Sequence, residues 1–126
     1  MSIATVDVGR VRLVVQSVVR DWVELHYGYI IVSEPNLREL YEMLVDELKS
    51  ARVVDSPLIR IDIRGHRSGG EASIAVHLPR SRLKCVATLG VASPWIRGEA
   101  TESFTHASAS VVHDPGKPVS VTCEPL

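Results

Sequence analysis

At 126 residues, with 45% hydrophobic and 23% charged side chains, the chain has the size and make-up of one folded domain, residues 1–126, which argues against disorder. A formal net charge of −1 excludes a global field favouring nucleic acid or an anionic membrane, so such a role would need a local patch. No run approaches about 18 apolar residues, and the opening MSIATVDVGRVRLVV lacks the apolar stretch of a signal peptide, so a cytoplasmic protein without a membrane span is expected.

The apolar residues are of an unusual kind, with nineteen valines against one phenylalanine, Phe104. Valine is stiff at χ1 and fits a pleated surface, which tilts the first reading toward sheet. Over residues 3–32, Val11, Leu13, Val15, Ser17 and Val19 alternate with Arg10, Arg12, Val14, Gln16 and Val18. A period of two predicts strands. Gly9 with Arg10 and Arg20 with Asp21 supply candidate turns, and Gly28 falls where a bulge would re-aim Tyr29 to Val32. The expectation is a meander of three strands.

The period then changes. Leu37, Leu40, Tyr41, Leu44, Val45 and Leu48 follow the spacing of one helical stripe, with Arg38, Glu39, Glu42, Asp46 and Lys49 around it. Ser33 suits the N-cap, Glu34 the positive end, and Pro35 a first turn in which its missing N–H costs nothing. Lys49 and Arg52 complement the other end. One amphipathic helix over about residues 34–50 is predicted, lying on the sheet.

Beyond Asp55, Ser56 and Pro57 the period of two returns. Ile59, Ile61 and Ile63 oppose Arg60, Asp62 and Arg64, and Ile74, Val76 and Leu78 answer them across the GHRSGGE loop, so residues 58–78 predict a hairpin. After a turn at 79–82, Leu83, Cys85, Ala87 and Leu89 form the next inward face. Residues 93–126 are strand-like but more polar, with Trp95, Ile96 and Phe104 as large anchors, a turn at DPGKP and a last strand carrying Val119, Val121 and Cys123. The fold class expected is α+β: a mainly antiparallel sheet or sandwich of about nine short strands with one helix.

Chemical motifs are scarce. In RGHRSGGEAS the glycine pair is followed by Glu71 and then a strand, unlike a P-loop; Ser68 lacks the first glycine of a nucleophile elbow. His66, Arg67, Ser68, Gly69 and Gly70 therefore read first as a glycine-rich turn, and second as a loop able to touch an anion or small molecule. His26, His66, His77, His106 and His113 show no metal-ligand spacing, so neither metal nor cofactor is expected. Glu99 with Glu102, and Glu42, Asp46 and Glu47, read as solvated charges. No catalytic residue is assigned, and the balance leans away from an enzyme without deciding it. Cys85 and Cys123 share faces with Leu83 and Val121 and are expected inward, bridged if their strands are neighbours. Arg60, Arg64 and Arg67, with Arg80, Arg82 and Lys84, would form a phosphate-holding patch if brought together; a solvated face is the preferred reading.

Glutamine and asparagine occur once each, as Gln16 and Asn36, and arginine outnumbers lysine eleven to three. Depletion of thermolabile amides is a habit of hyperthermophiles. In size and in this amide-poor, valine- and arginine-rich style the whole chain resembles the small uncharacterised proteins of viruses infecting hyperthermophilic archaea. That resemblance implies the host cytoplasm or the virion as location and transfers no site residues. The function expected is a structural or protein–protein interaction protein that self-associates, as a homo-oligomer (dimer), through residues 93–126 and the anchors Trp95, Ile96 and Phe104. Nucleic-acid binding through the arginine patch, and small-molecule binding at residues 65–71, are the alternatives.

Overall fold

Asp7, extended and just ahead of a run of valines, accepts a hydrogen bond from the Arg10 N–H at 3.2 Å and so starts a helix where sequence periodicity suggested strands. The computed structural model describes residues 6–66, 69–92, 103–104 and 109–126. Along these the order is α1 (Val8–Leu25), β1 (Tyr29–Val32), α2 (Glu34–Ser50), β2 (Leu58–His66), β3 (Gly69–Leu78), β4 (Leu83–Val91), β5 (Ser103–Phe104), β6 (Ala109–Val112) and β7 (Ser120–Pro125). This is an α+β fold with antiparallel sheet.

The α1 helix corrects the expected meander. Its buried residues are Val11, Val15, Val18, Val19, Trp22 and Val23, spaced i, i+4, i+7, i+8, i+11 and i+12, a helical stripe. A strand would have turned Leu13 inward with Val11 and Val15; instead Leu13 is 58% exposed while Val18 is buried. Valine's β preference is small per residue, and burying six apolar side chains, at roughly 1.5–3 kcal/mol each, outweighs it. The expected turns at Gly9 and Arg10, and at Arg20 and Asp21, lie inside this helix. Among the described residues there are accordingly two helices where one was expected, and seven strands where about nine were expected.

Gly28 is no bulge. It belongs to the helix stop, where its N–H donates to the Val23 carbonyl and the Tyr27 N–H to the Glu24 carbonyl, both at 3.0 Å. Tyr27 sits at φ 55° and Gly28 at φ 85°. That paired pattern is a Schellman stop, with a tyrosine in the left-handed position that glycine usually fills. The same motif ends α2: Val53 N–H reaches the Leu48 carbonyl, Arg52 N–H the Lys49 carbonyl, and Arg52 has φ 64°.

The expected helix over 34–50 is present with those bounds. Leu40, Leu44 and Leu48 are fully buried, whereas Tyr41 of the expected stripe is 36% exposed, at its margin. Ser33 takes the N-cap conformation without a side-chain cap bond, Glu34 pairs with Arg38, and Pro35 lies in the first turn. No helix among the described residues is long and apolar enough to cross a membrane.

The larger sheet has the order β5-β2-β3-β4-β7, every neighbour antiparallel. Its inner face carries Ile61, Ile63, Ala72, Ile74, Val76, Leu78, Leu83, Cys85, Ala87 and Leu89, all buried, on the alternation expected of a sheet covered on one side. β1 and β6 form a separate two-stranded ribbon. It is tied to the larger sheet by the bridge between Val91 and His113, flanked by Ala92 N–H to the Val112 carbonyl and Asp114 N–H to the Gly90 carbonyl, both 2.9 Å. β4 thus holds β7 along most of one edge and the end of β6 at the top of that same edge.

Candidate functional site: the β7 edge and the neighbouring cleft

β7 is the last strand of the larger sheet. Its register on β4 sets Lys84 against Glu124, Cys85 against Cys123, Val86 against Thr122, Ala87 against Val121 and Thr88 against Ser120. Leu126 N–H donates to the Arg82 carbonyl at 3.0 Å. In an antiparallel ladder this phase makes Ser120, Thr122 and Glu124 the residues that exchange hydrogen bonds with β4. The N–H and C=O groups of Val121 and Cys123, and the Pro125 carbonyl, face the opposite way and have no backbone partner among the described residues. Val119, just ahead of the strand, faces the same edge, and its carbonyl accepts the Gln16 side-chain N–H at 3.0 Å.

Two features hold this edge in place. Cys85 and Cys123, opposite one another with Cα atoms 4.0 Å apart, are joined by a disulfide, at the closely spaced, non-hydrogen-bonded kind of pair. The strands are neighbours, and Cys85 is fully buried as expected while Cys123 is half-buried. Beneath, α1 packs against the inner side of β7, where Val119 and Val121 are buried.

A cleft of about 550 Å³ opens where β4's edge passes from β7 to β6. Its walls are mostly apolar, from Val23 and Tyr27 at the end of α1 and from Val112, Pro118 and Val119 on the returning chain, with Arg20 and Glu24 on the helix side. The returning loop is braced in two places. His113 Nε2 lies 3.0 Å from the Lys117 carbonyl, which can only accept, so that nitrogen carries the proton. The Lys117 stem crosses Gly90, where an added Cβ would come within 2.4 Å of the Lys117 Cδ. The cleft's size suits a small ligand. Sequence reasoning missed it because its walls converge from two distant segments, residues 20–28 and 112–119.

The residues singled out from sequence are distributed as follows. Arg60, Arg64 and Lys84 lie on the sheet face turned away from the helices, and Arg80 and Arg82 occupy the β3–β4 turn at one end of that face. Lys84 stands opposite His77. Arg60 and Arg64 are two strands away on β2, and Arg60 is paired with Asp62 at 3.4 Å. Asp62 Oδ1 is buried and has no hydrogen-bond partner among the described residues. In the glycine-rich stretch, backbone pairing continues through Gly65 with Gly70 and His66 with Gly69; Arg67 and Ser68 lie outside the described residues. So do Trp95, Ile96 and His106. The backbone of Phe104 pairs with Ile63. His26 Nε2 is 2.7 Å from Glu39 Oε1. Among the described residues no three His, Cys, Asp or Glu side chains come together to hold a metal ion.

Compared with protein-family models, with curated proteins and with solved structures, the chain finds no match.

Proposed function

We propose that this chain is a non-enzymatic interaction protein that self-associates, using β7 as its contact edge. One observation carries the reading: β7 is a terminal strand of the sheet whose outward backbone groups at Val121 and Cys123 have no backbone partner among the described residues, while a disulfide and α1 hold the strand in place. An ordered edge of that kind is a template for another strand, and specific protein contacts use it by β-augmentation. Its position inside residues 93–126 agrees with the polar, strand-like character of that segment. Exposed Tyr27, Tyr29 and Val112, at 92, 49 and 40%, add apolar surface beside the cleft. Sedimentation velocity over a wide concentration range tests the proposal: a dimer is expected, and a monomer at every concentration overturns it.

A second reading, nucleic-acid binding, is favoured by the gathering of Lys84, His77, Arg80 and Arg82 at one end of the open sheet face, with Arg60 nearby. Asp62, Glu71 and Glu124 on the same face weaken it, and no tyrosine or tryptophan lies on the strand positions of that face to stack a base. Mobility-shift assays at low and high salt separate the readings, because phosphate binding falls steeply with salt.

A disulfide fits an oxidising compartment or the interior of a hyperthermophile. The amide-poor composition and the resemblance to viral proteins of hot archaea favour the second, and we place the protein in such a host's cytoplasm or in a virion.

A further inference from the structure

The outward backbone groups of β7, which have no partner among the described residues, are self-complementary in one register above others. We infer that two copies join β7 to β7, antiparallel, about a twofold axis passing through Thr122, with Val121 of one copy opposite Cys123 of the other. This rests on the self-association proposed above and specifies its geometry.

The inference follows from which backbone groups have no partner among the described residues. Only outward-facing residues, Val119, Val121, Cys123 and Pro125, can exchange hydrogen bonds across this edge. With the axis at Thr122, Val121 and Cys123 exchange both bonds in each half of the dimer. The next pair along is Val119 with Pro125. Proline has no N–H to give, and the Val119 carbonyl that would receive it is already held by Gln16 at 3.0 Å. The missing donor thus meets the occupied acceptor, while Val119 N–H still finds the Pro125 carbonyl.

Neighbouring registers lack this match. An axis at Val121 makes the Val119 carbonyl accept from the Cys123 N–H as well as from Gln16, and moves Pro125 opposite Lys117, outside the strand. An axis at Cys123 places Pro125 opposite Val121, whose carbonyl then has no donor. An axis at Glu124 puts two carboxylates face to face, which is repulsive. In the chosen register Thr122 faces Thr122 and Ser120 faces Glu124 on the open side, both tolerated pairs. The interface is isologous and closes on itself, so a dimer rather than a fibre results. It joins two five-stranded sheets into one continuous sheet with the α1 helices on a common side.

Thr122 is exposed, so replacing it leaves the core intact, and across the axis the two copies form a closely spaced pair of the type that already accommodates Cys85 and Cys123. Under mild oxidation, with the native disulfide kept, Thr122→Cys is expected to convert to a covalent dimer on non-reducing denaturing gels. Ser120→Cys and Glu124→Cys are each expected to stay unlinked alone and to link to one another when the two variants are mixed and allowed to exchange. Three outcomes decide the matter. Cross-linking in this pattern supports the register. A dimer by sedimentation in which Thr122→Cys stays unlinked, or in which Ser120→Cys links to itself equally well, overturns the register and leaves self-association standing. A monomer by sedimentation overturns both.

Discussion

The Trp22 indole N–H donates to the Asn36 carbonyl at 3.1 Å, fixing the end of α1 to the first turn of α2. The ring is fully buried and meets His26 edge-on at a centroid distance of 5.6 Å. His26 in turn reaches Glu39, so one side-chain chain spans the two helices. Trp22→Phe removes the donor and leaves a void where the second ring lay. It is expected to lower stability by about 2 kcal/mol, measured by chemical denaturation, with helical circular dichroism retained.

Asp55 is the one buried charged side chain among the described residues, at 6% exposure. Its carboxylate accepts from the Ser56 N–H at 2.8 Å, the Ser81 N–H and hydroxyl at 2.8 Å each, and the Arg80 N–H at 3.2 Å. The linker before β2 is thereby clamped to the β3–β4 turn. Asp55→Ala strands those donors and is expected to cost about 3 kcal/mol in denaturant titrations. Asp55→Asn, keeping one acceptor oxygen, should fall between the two.

Two helix stops hold non-glycine residues in the left-handed region. Tyr27→Gly and Arg52→Gly relieve that strain where the side chains are exposed, and each is expected to raise stability by about 1 kcal/mol, read as an increase in Tm. Gly28→Ala should act oppositely by a similar amount. Nothing lies within 4 Å of the added Cβ, so the cost there is backbone strain alone.

Gly90→Ala is expected to displace the Lys117 stem and loosen the loop over residues 114–118, costing about 1–2 kcal/mol as overpacking does. In the double variant with Lys117→Gly the penalty of the alanine should largely disappear. Additive losses in that double-mutant cycle would refute a direct clash.

The disulfide closes a loop whose ends are 38 residues apart. On the chain-entropy account its reduction costs about 4 kcal/mol. Denaturation with and without reductant measures the difference directly. Iodoacetamide labelling of the unreduced, unfolded protein should find no free thiol.

How much of this was legible in the sequence depended on which residues faced water. β2, β3 and β4 cover the core with one face only, so Ile61, Ile74 and Cys85 alternate cleanly with Asp62, Ala75 and Val86. Leu40, Leu44 and Leu48 betrayed α2 because no competing period-two pattern overlapped them. In α1 both patterns coexist: Val11, Val15, Val19 and Val23 fit either period, and only Val18 and Trp22 break the tie. Asp7 as cap and Gly28 as stop were the available helix signals, and the β preference of valine masked them. The edge of β7 was legible as an apolar alternation. Its openness was not, because pairing between residues as distant as Gln16 and Val119 leaves no local trace.

Because α1 packs on residues 119–125 as well as on α2, part of the floor beneath its valine stripe comes from about a hundred residues further along the chain. That part of the stripe stays uncovered until β7 is in place. Loop closure over about a hundred residues then becomes the slow event of folding. Deleting residues 119–125 should leave a sticky, aggregation-prone intermediate instead of a smaller native protein.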